Sequence, residues 1–329
     1  MSVARLMLPN QRSPNKKGRL LAAFFIGAII IILNGCQLAP SHSRVESNAT
    51  SPSQYLSVPF FAQEKYQCGP AALASMLSYA GAPTNPETLV EEVWLPKRRG
   101  SLAMELAAAA RARGLLVYPI NTNTALFAEL DANHPVLIQQ NLLFKWLPQW
   151  HFAVVVGYEE NGQTLLLHSG TEQLKKVGAT WFENHWRKAE YVGFVVLAAG
   201  ELPAKSEPLA LADAIANVDH SSGVANLDLW KSAAARYPDQ SIIRFSYGNA
   251  LYQDSALSEA AAQYKQATKL APTFHQAWNN LADVYKQAHC KIEAQKSIQA
   301  ALKLEPENQT YQGTQLEIKA LDTTEECDL

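Results

Sequence analysis

Three residues of this chain have the types and the order that thiol chemistry needs. They are Gln63 and Cys68 in FFAQEKYQCGPAALASML, and His151 in WHFAVVVGY. An ordinary thiol, of pKa ~8.5, is mostly protonated at neutral pH, so it attacks a carbonyl only where something favours the thiolate or removes the proton. Cys68-Gly69-Pro70 opens an apolar helical pattern. A helix start offers unpaired N–H groups and the positive end of the dipole, both of which favour a thiolate. Pro70 suits the first turn, where its missing N–H has no helical partner, and Gly69 lets the backbone approach a carbonyl closely. The N–H of Cys68 and the side-chain amide of Gln63 are then candidate donors to an oxyanion. His151 starts the apolar stretch FAVVVGY, a place from which a ring can face a helix start while the valines are buried; it is the candidate base.

These residues need a scaffold that sets a helix start against a strand. Cys68–Tyr79 reads as a helix whose buried side is Ala71, Ala72, Leu73, Met76 and Leu77, ended by Gly81-Ala82-Pro83. Helices are expected at 86–93 and at 101–113, the second capped by Ser101 and stopped by Gly114. Strands are expected at 116–120, 135–140, 151–158, 164–168 and 192–197, with a hairpin turn at Asn161-Gly162. Helices followed by an antiparallel sheet make an α+β layout. Phe144, Trp146, Pro148 and Trp150 lead into His151 and either wall a peptide cleft or cover a sheet edge.

The order Gln63…Cys68-Gly69-Pro70, then Pro135-Val136-Leu137, then His151 ahead of Val-Val-Gly-Tyr resembles the bacteriocin-processing, double-glycine leader peptidases, a family of papain-like cysteine peptidases. Over residues 55–198 the resemblance implies a papain-like α+β fold with Cys68 as nucleophile, His151 as base and Gln63 as oxyanion donor. The family's third catalytic residue is an Asp at the end of the next strand, usually as Asp-Pro. Here that place reads Leu167-His168-Ser169-Gly170. His168 or Ser169 is left to orient His151, with Glu172 near in sequence and Gln140 or Asn141 as amide alternatives. Two expectations follow: a cysteine peptidase working through a Cys-His thiolate and an acyl-enzyme, or a weakened peptidase-like module that binds peptides. The family's leader-peptide substrate belongs to a fused transporter and is not carried over.

Residues 1–36 read as an export signal. Five basic residues and no acidic one accompany an apolar run over 20–33, shorter than the ~20 residues a membrane-spanning helix needs. Leu33-Asn34-Gly35-Cys36 resembles the lipobox of bacterial lipoproteins, with Asn34 a less usual residue at its position. The resemblance implies lipid on Cys36 and a folded part outside the cytoplasm. Gln37, rather than Asp, after the cysteine implies the outer membrane, facing the periplasm. Residues 37–54 are polar and Ser-rich and read as a tether. Cys290 and Cys327 either pair in such an oxidising compartment or remain two thiols.

The whole chain has 28 Lys and Arg against 30 Asp and Glu, and 48% hydrophobic residues. No basic face speaks for nucleic acid. No metal-ligand spacing and no phosphate loop speak for a metal or cofactor. After a linker at 199–210 the strand signal stops and a 34-residue period begins. It relates Gly248 to Ala282, Ala260 to Ala294, Ala267 to Ala301 and Pro272 to Pro306. Small residues where helices cross and aromatics between turns make 211–329 similar to the tetratricopeptide repeat. A degenerate first unit is expected over about 207–240 and a capping helix over 311–321. Such repeats imply a groove for a peptide or protein partner.

Overall fold

The computed structural model describes residues 49–63, 67–98, 100–322, 327 and 329. The export signal, the lipidation candidate Cys36 and residues 37–48 of the tether lie outside the described residues.

The sheet domain is built on seven strands, every pair antiparallel: β1 (Gln54–Tyr55), β2 (Leu116–Pro119), β3 (Val136–Asn141), β4 (Trp150–Glu159), β5 (Thr164–Ser169), β6 (Glu172–Gly178) and β7 (Gly193–Leu197). Their order is β2-β7-β3-β4-β5-β6. β1 pairs with the far end of β4, beyond the point where β3 stops. Its close approach requires Gly157, where a Cβ would stand 2.1 Å from the Gln54 carbonyl oxygen. The β4–β5 turn falls at Asn161-Gly162, both residues at positive φ as a tight hairpin demands.

α1 (Cys68–Tyr79) corrects the one-sided expectation: every residue from Gly69 to Leu77 is buried. One side of α1 lies on β3, β4, β5 and β7, while α2 (Pro86–Val93) and α3 (Ala103–Arg111) cover another. A helix covered all round carries apolar or small residues all round, which is why Ala71, Ala72, Ala74 and Ser75 stand there. α2 is capped as its sequence dictates, with the Asn85 side chain accepting from the Thr88 N–H and Pro86 in the first turn. α3 starts two residues later than expected, and Ser101 does not cap it. Ser101 instead packs on Gly69, where a Cβ would lie 2.7 Å from its Oγ.

Besides the two-residue β1, three elements of this domain escaped sequence reading. α4 (Asn123–Asp131) is capped by Thr122, whose Oγ1 accepts from the Ala125 N–H. β6 is largely polar with no buried residue, so no apolar alternation marks it. α5 (Ala179–Lys188) buries only Ala179, Phe182 and Trp186.

The C-terminal part is helical: α6 (Pro208–Ser222), α7 (Leu227–Arg236), α8 (Ser241–Gln253), α9 (Leu257–Leu270), α10 (His275–Gln287), α11 (Lys291–Leu304) and α12 (Gln309–Lys319). The small residues of the 34-residue period sit at helix crossings: Gly248 lies against the Tyr264 ring, and Ala260, Ala282, Ala294 and Ala301 are fully buried. The first helical pair joins the core of the sheet domain through Leu211, Ile215, Val218 and Trp230. The connecting segment is pinned as well. The Ala204 N–H donates to the buried Glu129 carboxylate, and Arg236 donates to the Pro203 carbonyl. Cys290 and Cys327 form a disulfide that ties the C-terminus to the start of α11.

Candidate active site

Cys68 is the first residue of α1, and the residue before it, Gln67, makes no side-chain cap. The first N–H groups of the helix are therefore open to the thiol. The N–H groups of Phe152, of Gly69 and of Cys68 itself lie near enough to the thiol to pull its pKa down. The first of these belongs to the peptide that joins His151 to Phe152. The structure thus brings the thiol to the backbone of the candidate base, at the start of β4. Burial nonetheless pushes the thiol pKa up, outweighing the N–H groups that pull it down. The helix start favours the thiolate as expected, but desolvation is the larger effect.

His151, half-buried, is the second residue of β4. Its Nε2 lies 2.9 Å from Ser169 Oγ at the end of β5. Burial first, and the charge of Lys175 second, drive its pKa down to about 4. Near pH 7 the pair is therefore a neutral thiol and a neutral imidazole. Among the described residues no hydrogen bond joins the ring to the thiol, and Nδ1 is left without one. Such contacts are commonly loose before substrate binds.

Gln63 and Cys68 line the same small cavity of about 10 Å³, together with Phe152, His168, Ser169 and Gly170. That volume accommodates about one water-sized group. The Gln63 N–H donates to the Gly170 carbonyl at 3.1 Å, which fastens the segment before α1 to the end of β5.

His168, the other candidate for orienting His151, bonds elsewhere. It stands opposite Val154 on the sheet and is 5% exposed. Its Nε2 lies 3.0 Å from the Val58 carbonyl, and its Nδ1 accepts from the Leu174 N–H at 3.4 Å. With both nitrogens engaged and a T-shaped contact to Phe60, this histidine holds β5 to the segment ahead of α1. Asn141 is likewise occupied, its Oδ1 accepting from the N–H groups of Leu143 and Gln149. Gln140 is directly opposite His151 on β3 and buries an Nε2 that has no hydrogen-bond partner among the described residues.

A cleft of about 760 Å³ opens beside Cys68. Ser101, Leu102, Pro148, Trp150, Phe152 and Val192 help line it. Pro148 and Trp150 thus wall the cleft, while Phe144 and Trp146 stack on each other further out, 5.6 Å between ring centres. Sequence reading missed Phe152, whose N–H acts on the thiol, although its place next to His151 was the available signal. It also missed Ser101 as a wall residue, because its position ahead of a helix reads first as a cap.

Comparison with known proteins agrees with this architecture. The family model described as "Peptidase_C39 like family" matches residues 55–194, and the one described as "TPR repeat" matches residues 248–288. The chain has a domain of mixed sheet and helix that resembles the C39 peptidases, followed by a helical TPR-like region. No curated protein matches it. Among solved structures, it is similar to a putative C39-like peptidase from Bacillus anthracis at 18% identity, covering 45% of this chain and 98% of that one with a TM-score of 0.38. A double glycine motif protease from an AMS/PCAT transporter, in complex with the leader peptide, is 21% identical over 45% of this chain and 95% of that one, with a TM-score of 0.36. The first TPR of Spaghetti (RPAP3), bound to an HSP90 peptide, is 16% identical over 34% of this chain and 90% of that one, with a TM-score of 0.33.

Proposed function

We propose that the sheet domain is a cysteine peptidase. The observation that carries this reading is the placement of Cys68 at the head of a buried helix, beside the start of the strand that bears His151 and on the wall of a cleft. His151, neutral, takes the thiol proton as sulfur attacks a substrate carbonyl. The oxyanion is received by the N–H of Cys68 and the Gln63 amide, in a cavity that has room for about one small group. The C–N bond then breaks as the proton passes from His151 to the leaving amine, and water, deprotonated by His151, attacks the acyl-enzyme, breaking its C–S bond to release the acid and return the thiol. Ser169 steadies the imidazole through Nε2. The repeats dock a peptide or protein that brings substrate to the cleft. The chain is held by lipid on Cys36 at the periplasmic face of a bacterial outer membrane.

Secreted peptides offered to wild type, Cys68→Ala and His151→Ala test the activity. Cleavage by wild type alone supports it, and equal cleavage by all three removes it. Incorporation of an alkyne fatty acid into wild type but not Cys36→Ser tests the anchor separately. One observation favours a second reading, a peptidase-like domain that grips a peptide without cutting it: His151 faces a hydroxyl where a carboxylate would stabilise its cation. That reading predicts peptide binding that Cys68→Ala leaves unchanged, and no product.

A further inference from the structure

The turn that joins β3 to β4 has a feature that amide hydrolysis does not use. Within eight residues it exposes Trp146 at 79%, Phe144 at 59%, Leu147 at 53%, Trp150 at 52% and Leu143 at 40%. Only Trp150 of these lines the cleft. The tip is a built structure. The Leu142 N–H donates to the Gln149 carbonyl at 2.9 Å, and the Leu147 N–H to the Phe144 carbonyl at 3.2 Å. The buried Asn141 side chain joins both arms of the turn, accepting from Leu143 and Gln149 and donating to the Phe144 carbonyl. Lys188 reaches over from α5 to the Leu143 carbonyl at 3.0 Å. A held turn that carries apolar rings outward marks an interaction surface.

The charge and aromatic content narrow the partner. No acidic residue occurs between Asp131 and Glu159, whereas Lys145 separates the two stacked rings in sequence and Lys188 sits at the base. Glu190 on the cleft wall is a nearby acid. Trp and Phe beside Lys are the side chains that settle at the boundary of headgroups and acyl chains, and the lysines favour anionic lipid. Reach is the remaining requirement. The tip lies at one end of β4, and the chain enters the sheet at the other, through β1. β4 has 10 residues, or about 33 Å of strand. Roughly 18 residues separate Cys36 from Gln54, enough for about 60 Å when extended. A lipid on Cys36 leaves the tip free to meet the same bilayer.

We propose that this hairpin, through Phe144, Trp146 and Leu147 with Lys145, inserts into the headgroup layer of an anionic membrane and presents the cleft at its surface. The reach rests on the lipid-anchor reading; the insertion itself does not. Unlipidated residues 37–329, which contain the whole compact unit from Val45 to Leu329, are to be sedimented with vesicles of phosphatidylglycerol and, separately, of phosphatidylcholine. Preference for the anionic vesicles is expected. Phe144→Ser with Trp146→Ser should weaken the partition on the order of tenfold or more, and Lys145→Glu should weaken it and reduce its salt sensitivity. Because these side chains are exposed, the circular dichroism of the variants should match wild type. Absence of wild-type binding to either vesicle overturns the proposal, as does equal binding by the double variant. A double variant that keeps vesicle binding but loses kcat/KM on soluble peptides assigns the hairpin to substrate and also overturns it. Loss of the anchor reading, shown by no acyl label on Cys36, leaves this vesicle result standing.

Discussion

His151 Nε2 and Ser169 Oγ lie 2.9 Å apart, so a hydroxyl occupies the place from which a carboxylate could hold the imidazole. A hydroxyl both donates and accepts, so it positions the ring without fixing which nitrogen carries the proton, and it does little for the cation. Ser169→Ala should therefore lower kcat only several-fold, with KM nearly unchanged. Ser169→Asp should raise the His151 pKa and move the acid limb of the kcat/KM profile to higher pH. Peptide hydrolysis across pH 3–9 reads both; an unmoved limb in Ser169→Asp removes His151 as the base.

The direction of the two pKa shifts sets the resting state. His151 is pushed down to about 4 and the Cys68 thiol is pushed up, both by burial. Neutral imidazole is the competent form, so activity should appear as pH rises through about 4. Alkylation reports the thiol without substrate. Iodoacetamide should label Cys68 slowly at pH 7 and keep accelerating past the ordinary thiol range. Cys68 is the free cysteine among the described residues, and labelling a Cys36→Ser chain removes the other candidate thiol. Fast labelling at pH 6 would instead show a thiolate–imidazolium pair.

The same histidine affects acid stability. Its folded pKa of about 4 lies below the ordinary 6.5, so the unfolded chain binds a proton that the native chain refuses. The associated stability is fully present above about pH 6.5 and is lost as pH falls to about 4. It amounts to at most about 3 kcal/mol. His168, also depressed by burial, adds in the same direction. Urea unfolding at pH 7 and pH 4.5 should show the loss, and His151→Gln should reduce the difference between the two pH values.

The parts legible in sequence were those with a short-range signal. Cys68–Tyr79 and Pro86–Val93 have the observed bounds because Gly81-Ala82-Pro83 and Asn85-Pro86 punctuate them locally. The repeats were legible through their period. What was hidden depends on tertiary neighbours. β6 gains its place by pairing with β5, not by its own alternation. Ser101 leaves the cap for a contact with Gly69, and the thiol pKa follows burial that no local motif records. The choice between His168 and Ser169 turned on strand register: His168 is set opposite Val154, where Val58 and Leu174 occupy both its nitrogens.

Two glycines of the repeats should respond oppositely to alanine. At Gly248 a Cβ would stand 2.6 Å from the Tyr264 ring. That ring is 1% exposed, and its hydroxyl is held 2.7 Å from Asn249 Oδ1, so it cannot swing aside freely. Gly248→Ala should cost about 1–3 kcal/mol. Gly313, in α12, has nothing within 4 Å of its Cβ position. Gly313→Ala should be neutral or stabilise by about 0.5–1 kcal/mol through helix propensity. Thermal unfolding of both variants checks the pair, and a stable Gly248→Ala would mean that the α8–α9 crossing is looser than the packing indicates.

The Cys290–Cys327 disulfide closes a separation of 37 residues around α11 and α12. Cross-linking a loop of that length restricts the unfolded chain by at most about 4 kcal/mol. The benefit should be concentrated at the C-terminal end, because Cys290 immediately precedes α11 and is 2% exposed, whereas the sheet domain shares no residue with the loop. Cys290→Ser with Cys327→Ser should lower the unfolding midpoint of the repeats and speed amide exchange in α12, and leave peptide hydrolysis by the sheet domain unchanged. Dithiothreitol should do the same to wild type and nothing further to the double variant. A midpoint unaffected by either treatment would show that packing of Tyr311 and Ile318, both buried, is enough to hold the last helix.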